Sequence, residues 1–147
     1  MNENPLVIDV KYHAAIDPLQ QIKVGDAIDV RAAEDVDLDF LGVKRVSLGF
    51  SCKLPEGYIA ILSPRSSLFS EHFVIQTNSI GIIDNSYCGN NDVWCMELVC
   101  LKAHTHISKN ERIGQFLVIH KPPKAKFHTV DDLETEDRGG YGSTGRF

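Results

Sequence analysis

Sulfur chemistry has little to work with in this sequence: four of 147 residues are cysteine (Cys52, Cys88, Cys95 and Cys100), and no two form a Cys-x-x-Cys pair. Neither a zinc site nor a disulfide framework is suggested, and the thiols are expected to be reduced and mostly buried. No apolar run reaches the ~18 residues of a membrane-spanning helix. Met1-Asn2-Glu3-Asn4-Pro5 lacks the basic start and apolar stretch of a signal peptide, so a cytoplasmic protein is expected. Positive charge is in deficit, with 15 Lys and Arg against 20 Asp and Glu, a formal charge of −5 and a pI near 5.6. That balance argues against broad electrostatic attachment to nucleic acid or to an anionic membrane. Any phosphate must be met by local groups. Helical periodicity longer than two turns is absent as well.

What is present is apolar strand. With 43% apolar residues and a mean hydropathy of −0.13, the chain can bury one real core, and residues 1–147 read as a single domain. Strands are predicted over 6–12, 25–33, 43–50, 58–62, 73–76, 93–101 and 112–119, several with the alternation of a half-buried strand. In the second, Ile28, Val30 and Ala32 alternate with Asp29, so Asp29 is expected to face away from the core. Gly, Pro and Asn turns between short strands point to an all-β sandwich or barrel.

Chemistry concentrates in three places. Thr77 to Gly89 carries the β-branched run Ile80, Ile82 and Ile83 into Asp84-Asn85-Ser86-Tyr87, which reads as a hairpin with a carboxylate at its mouth. Taken alone, such an Asp is an Asx-turn residue. Ser63-Pro64-Arg65-Ser66-Ser67 reads as the start of a helical turn, with hydroxyls and a planar guanidinium fork suited to an anion, or as an ordinary capped turn. After Pro122-Pro123, an acidic stretch leads to Arg138-Gly139-Gly140-Tyr141-Gly142-Ser143-Thr144-Gly145. Gly140-x-Gly142-x-x-Gly145 matches the dinucleotide fingerprint in letters only, since no strand precedes it and no helix can follow. Residues 131–147 are expected to be mobile, either a disordered end or a flap whose glycines let backbone N–H groups approach phosphate. His104 and His106, two apart on a strand or loop, read as surface residues, because a zinc site would want further partners.

Five blocks in this order resemble the trimeric deoxyuridine triphosphatase (dUTPase) family, in its bacterial or phage form: Asp26-Ala27-Ile28-Asp29-Val30, Pro64-Arg65-Ser66-Ser67-Leu68, Asn78 to Gly89, Arg112-Ile113-Gly114-Gln115 and Arg138 to Gly145. The resemblance implies a jelly-roll homotrimer. It would hydrolyse dUTP to dUMP and pyrophosphate, keeping uracil out of DNA and supplying dUMP. The active sites would lie between subunits, each completed by a neighbour's tail. By the same resemblance Asp84 is the base for the attacking water, and Arg65, Ser66 and Gln115 grip the phosphates. Asn78 and the hairpin backbone, Ile83 included, read the uracil edge, while Tyr87 packs on the deoxyribose and excludes a 2′-hydroxyl. Arg138, Gly142, Ser143 and Thr144 close over the γ-phosphate, and Tyr141 stacks on uracil unless Trp94 does. Asp29 is supporting. Mg²⁺ is expected to ride on the triphosphate and water, with no cluster of protein ligands.

Departures from the family pattern are Ser67 for Gly, Ser86 for Asp, Cys88 for a longer polar residue, Ala27-Ile28 for Gly-Tyr, and a short tail whose aromatic is Tyr141. The rival readings are a dCTP deaminase, for which Glu97 is the available carboxylate, and a non-catalytic jelly roll that binds nucleotide or a protein partner in regulation.

Overall fold

A computed structural model describes residues 4–147, so the first three residues of the Met1–Pro5 segment lie outside it. Eleven strands and one short helix follow in order among the described residues: β1 (Asp9–Tyr12), β2 (Ile28–Arg31), β3 (Val36–Asp39), β4 (Val43–Ser47), β5 (Phe50–Lys53), β6 (Tyr58–Pro64), α1 (Leu68–His72), β7 (Val74–Gln76), β8 (Gly81–Ile83), β9 (Cys95–Cys100), β10 (His104–Ile107) and β11 (Arg112–His120). All pairings are antiparallel. The larger sheet runs β2-β11-β6-β8 and the next β4-β9-β7, with β1-β5 and β3-β10 as two-stranded ribbons. Neighbours in a sheet are far apart in sequence, as in a jelly roll, and no closed barrel forms among the described residues. No helix is long and apolar enough to cross a membrane.

Alternation builds the interior. In β9 the buried positions are Met96, Leu98 and Cys100, and in β3 they are Val36 and Leu38. Trp94 packs between Phe50 and Phe116 with ring centroids 5.1 and 5.0 Å away, which joins three segments in one aromatic cluster. Each large side chain so buried contributes about 1.5–3 kcal/mol.

The structure corrects several sequence expectations. The run 43–50 is two strands, because Gly49 takes φ +73° and turns the chain from β4, paired with β9, into β5, paired with β1. β3 goes unassigned in the sequence although Val36 and Leu38 alternate with Asp37 and Asp39, and β10 settles the strand-or-loop reading of His104 and His106 as strand; both runs are only four residues long. Those histidines are surface residues as expected, with His104 Nδ1 2.9 Å from Asp39 Oδ1 and His106 Nδ1 2.9 Å from Asp37 Oδ1. Pro64 ends β6 instead of opening a helix, and α1 starts four residues later behind Ser67, whose side chain makes no capping bond. All four cysteines are free. Cys52 and Cys100 are buried, and burial pushes the Cys52 thiol up to about 12, but Cys95 is only half-buried and Cys88 is exposed.

The segment 80–89 does not form a hairpin either. β8 pairs with β6, β7 pairs with β9, and the chain beyond β8 turns at once. The turn consumes the groups a return strand would need: Ser86 N–H donates to Asp84 Oδ1 at 2.9 Å and Tyr87 N–H donates to the Asp84 carbonyl at 3.0 Å. Gly89 to Asp92 then closes on itself, with Gly89 N–H donating to Asp92 Oδ2 at 2.8 Å.

Candidate active site

β6 is the scaffold for both halves of the site. Its Leu62 pairs with Gly81 of β8, and the next residue, Ser63, pairs with Gln115 of β11, which in turn lies opposite Asp29 of β2. The two halves lie on opposite edges of β6 and at different levels: Ile83 pairs with Ala60, so the Asp84 turn is more than three residues, over ~10 Å, along the strand from Ser63 and the Gln115–Asp29 row, as well as two strand spacings across.

The first half is a cavity of about 690 Å³. Asn78, Ile83, Asp84 and Tyr87 line it, together with Gln76, Thr77, Arg45 and Glu97. Asp84 is exposed, and with Oδ1 held by the Ser86 N–H its second oxygen remains to accept a hydrogen bond. The Ser86 backbone and hydroxyl, then the charges of Lys121 and Lys124, hold the Asp84 carboxyl below its usual range. The Asx turn expected of Asp84 is present, and it leaves the second carboxylate oxygen open to solvent. Tyr87 is half-exposed and its hydroxyl donates to the Val93 carbonyl at 3.1 Å, which fixes the ring at the rim.

The second half is a guanidinium pair around Asp29. Arg112 Nη1 lies 3.1 Å from Asp29 Oδ2 and Arg65 Nε lies 3.8 Å from Asp29 Oδ1. Arg65 also donates through Nη1 to the Arg112 carbonyl at 3.3 Å. Asp29 faces away from the core, as its strand period predicts, and holds two arginines side by side. Ser66 follows Arg65 in the exposed turn before α1. Arg112 is a member of this group that the sequence reading leaves without a role. Its signal was its place at the head of the β11 run, two residues before the Gly114–Gln115 step.

Other expected site residues do not join either half. Trp94 is 1% exposed inside the aromatic cluster, so neither face of its ring is open to a base, and the reading of Trp94 as the uracil-stacking residue is corrected. Arg138, Tyr141, Gly142, Ser143 and Thr144 are exposed and do not line the cavity of their own chain. They lie in a glycine-turned stretch, with Ser143 N–H donating to the Gly140 carbonyl and Gly145 N–H to that of Gly142. Glu97 is tied up by Thr77 Oγ1 at 2.9 Å and Arg45 at 3.6 Å, which disfavours it as the proton carrier of a deaminase. Among the described residues, Glu71, His72 and Glu111 come together as metal-ligating groups. This cluster lines neither half, and His72 already bonds Glu111 and Thr105.

An antiparallel β-sandwich that sets a free carboxylate oxygen at the wall of a cavity large enough for a nucleoside, with paired guanidiniums farther along the same sheet, belongs to the class of nucleotide-handling jelly rolls. The family model for dUTPase matches residues 14–145. A SPbeta prophage-derived deoxyuridine 5′-triphosphate nucleotidohydrolase of Bacillus subtilis is 47% identical over 127 residues, 86% of this chain and 89% of the relative. The deoxyuridine 5′-triphosphate nucleotidohydrolase of Fusobacterium nucleatum is 35% identical over 133 residues, covering 88% and 89%. In fold, the chain is similar to the Staphylococcus bacteriophage 80alpha dUTPase solved with dUPNHPP, at a TM-score of 0.81 and 19% identity over 95% of this chain and 99% of that one. The dUTPase of Streptococcus mutans superposes at 0.71 with 16% identity, over 80% and 98%. The chain belongs to the dUTPase family, in its bacterial and phage branch.

Proposed function

We propose that this chain is a dUTP diphosphatase that hydrolyses dUTP to dUMP and pyrophosphate. The observation that carries the reading is the Asp84 turn: a carboxylate with one oxygen fixed by backbone and one free, at the wall of a cavity whose other walls include Asn78, Ile83 and Tyr87. The free oxygen holds a water and takes its proton as the water oxygen bonds to the α-phosphorus in line. The bond from that phosphorus to the bridging oxygen breaks, and pyrophosphate leaves with the electron pair. A carboxylate held below its usual range stays ionised at neutral pH, as a base must.

Arg65, Ser66 and Gln115 bind the phosphates, where preorganised donors stabilise charge as it develops. Asp29 and Arg112 keep the Arg65 fork in place. Tyr87 sits against the sugar, and its fixed ring leaves no room for a 2′-hydroxyl. Metal dependence is general in the family, and for this chain the metal is Mg²⁺. Mg²⁺ fits the donors present, because it retains its waters and needs only substrate phosphates with one or two carboxylates. When bound, it draws charge from the phosphate oxygens. The subunits form a homotrimer in the cytoplasm, and the tail from 131 on, with Arg138, Tyr141, Gly142, Ser143 and Thr144, closes over a neighbour's cavity.

Asp84→Asn tests the reading. Pyrophosphate release should fall at least ~10²-fold, while a non-hydrolysable dUTP analogue with Mg²⁺ at ~100 times its Kd still stabilises the fold by about 2.7 kcal/mol. Turnover that survives the substitution would remove Asp84 from the chemistry.

A further inference from the structure

Two buried polar atoms lack a hydrogen-bond partner among the described residues, and both belong to residues that line the cavity: Gln76 Oε1, an acceptor, and Trp94 Nε1, a donor. Gln76 is 5% exposed, and its other end is engaged, with Nε2 donating to Asn78 Oδ1 at 3.0 Å. Asn78 is exposed on the cavity wall, so the amino group left over from that bond is offered to whatever fills the space.

A bonded pair of carboxamides can be turned over together without losing the bond between them, and the outer end would then present oxygen instead of nitrogen. The choice matters for pyrimidines. At ring position 4 uracil carries a carbonyl acceptor and cytosine an amino donor, so a fixed Asn78 amino group suits the first and opposes the second. What breaks the symmetry is a group that cannot be turned over. An indole nitrogen only donates, and leaving it and a buried amide oxygen unpaired is costly to both. We infer that Trp94, Gln76 and Asn78 form a one-way hydrogen-bond relay, in which the indole N–H fixes Gln76 oxygen-inward, Gln76 fixes Asn78 oxygen-inward, and the outward amino group selects uracil over cytosine. In the relay the indole N–H reaches Gln76 Oε1 directly or through one water, the two unpartnered atoms lining one cavity. Gln76 is thus a positioning residue for base choice, an inference that rests on the reading of Asn78 as a base-contacting residue.

The test is the ratio of kcat/KM for dUTP to that for dCTP, read as pyrophosphate release, because the phosphate chemistry does not see the base. Gln76→Glu replaces the amide by a group that only accepts when ionised, which turns Asn78 oxygen-outward at pH 8. The ratio should fall at least ~10-fold, through a higher KM for dUTP and a gain with dCTP, with kcat for dUTP within about threefold. Gln76→Met frees the amide without reversing it, so the ratio should fall with no gain for dCTP. A merely structural role would weaken both substrates together, and an unchanged ratio in either folded variant overturns the relay. Asn78→Ala separates the two ideas. If it leaves KM for dUTP unchanged, the base-contact reading itself fails; if it raises KM while both Gln76 variants keep their ratio, only the relay fails. An observation on the wild-type protein needs no variant to fold. The chain has one tryptophan, so its indole N–H resonance is unambiguous. A downfield indole signal that moves in Gln76→Met supports the relay, and the position of an unbonded indole, or a signal unmoved by that substitution, overturns it.

Discussion

At Asp84 the same hydrogen bonds that define the turn also set the acid. The Ser86 N–H and hydroxyl and the nearby Lys121 and Lys124 favour the charged carboxylate, so its folded value lies below the ordinary one. A group shifted in this direction adds stability that is present above the unfolded value and disappears as pH falls through the folded value. For catalysis, the acid limb assigned to Asp84 should lie below the normal Asp range. A carbon-13 NMR titration of the side-chain carboxyl checks it, and Ser86→Ala and Lys121→Met should each move the midpoint upward. An Asp84 that titrates at or above the ordinary value in the intact protein would contradict this account of the turn. Asp84 itself was legible from turn chemistry and the preceding isoleucines. Arg112 and Gln76 were not, because Arg112 meets Asp29 only across the β11–β2 pairing and Gln76 meets Asn78 only through a half-buried side-chain bond.

At the scale of elements, the strands that could be read were those with strong apolar alternation, such as β9 and β11. β3 alternates cleanly, Val36 and Leu38 inward and Asp37 and Asp39 outward, but like β10 it is only four residues long, too short a run to stand out until the pairing with β10 is seen. The expected hairpin failed for the converse reason: a strand followed by a turn leaves open which strand it pairs with, and β8 finds its partner in β6. Gly114 shows how closely these strands approach. A Cβ there would sit 2.5 Å from Met96 Sδ and 3.0 Å from the Ser63 carbonyl, beside a register shift between Arg112 and Gly114. Gly114→Ala should cost about 1–3 kcal/mol in a denaturant titration, the range for overpacking a filled core. Part of that should return in a background of Met96→Ala, which makes room and leaves the two effects less than additive. Full additivity would mean that the backbone contact with Ser63 dominates.

At the scale of the whole molecule, Arg138 and the residues after it lie outside the lining of their own chain's cavity, the one they are expected to close on a neighbour. Every residue from 121 to 147 is exposed, so removing 138–147 deletes no core contact. A change confined to such residues is worth about 0.5 kcal/mol or less, and the shortened chain should melt within about 2 °C of the full one. Its turnover should nonetheless fall ~10³-fold or more, the scale of a missing arginine finger. That loss alone does not say whose site the tail serves. Mixing does. The Asp84→Asn chain has a tail and no base, and the shortened chain has a base and no tail, so neither works alone. Refolded together in equal amounts, half of the sites carry Asp84, and half of those receive a neighbour's tail if subunits associate at random around a symmetry axis. Roughly a quarter of wild-type activity should then return. A tail that folds back on its own chain would leave the mixture as inactive as its parts, since no single chain would hold both groups.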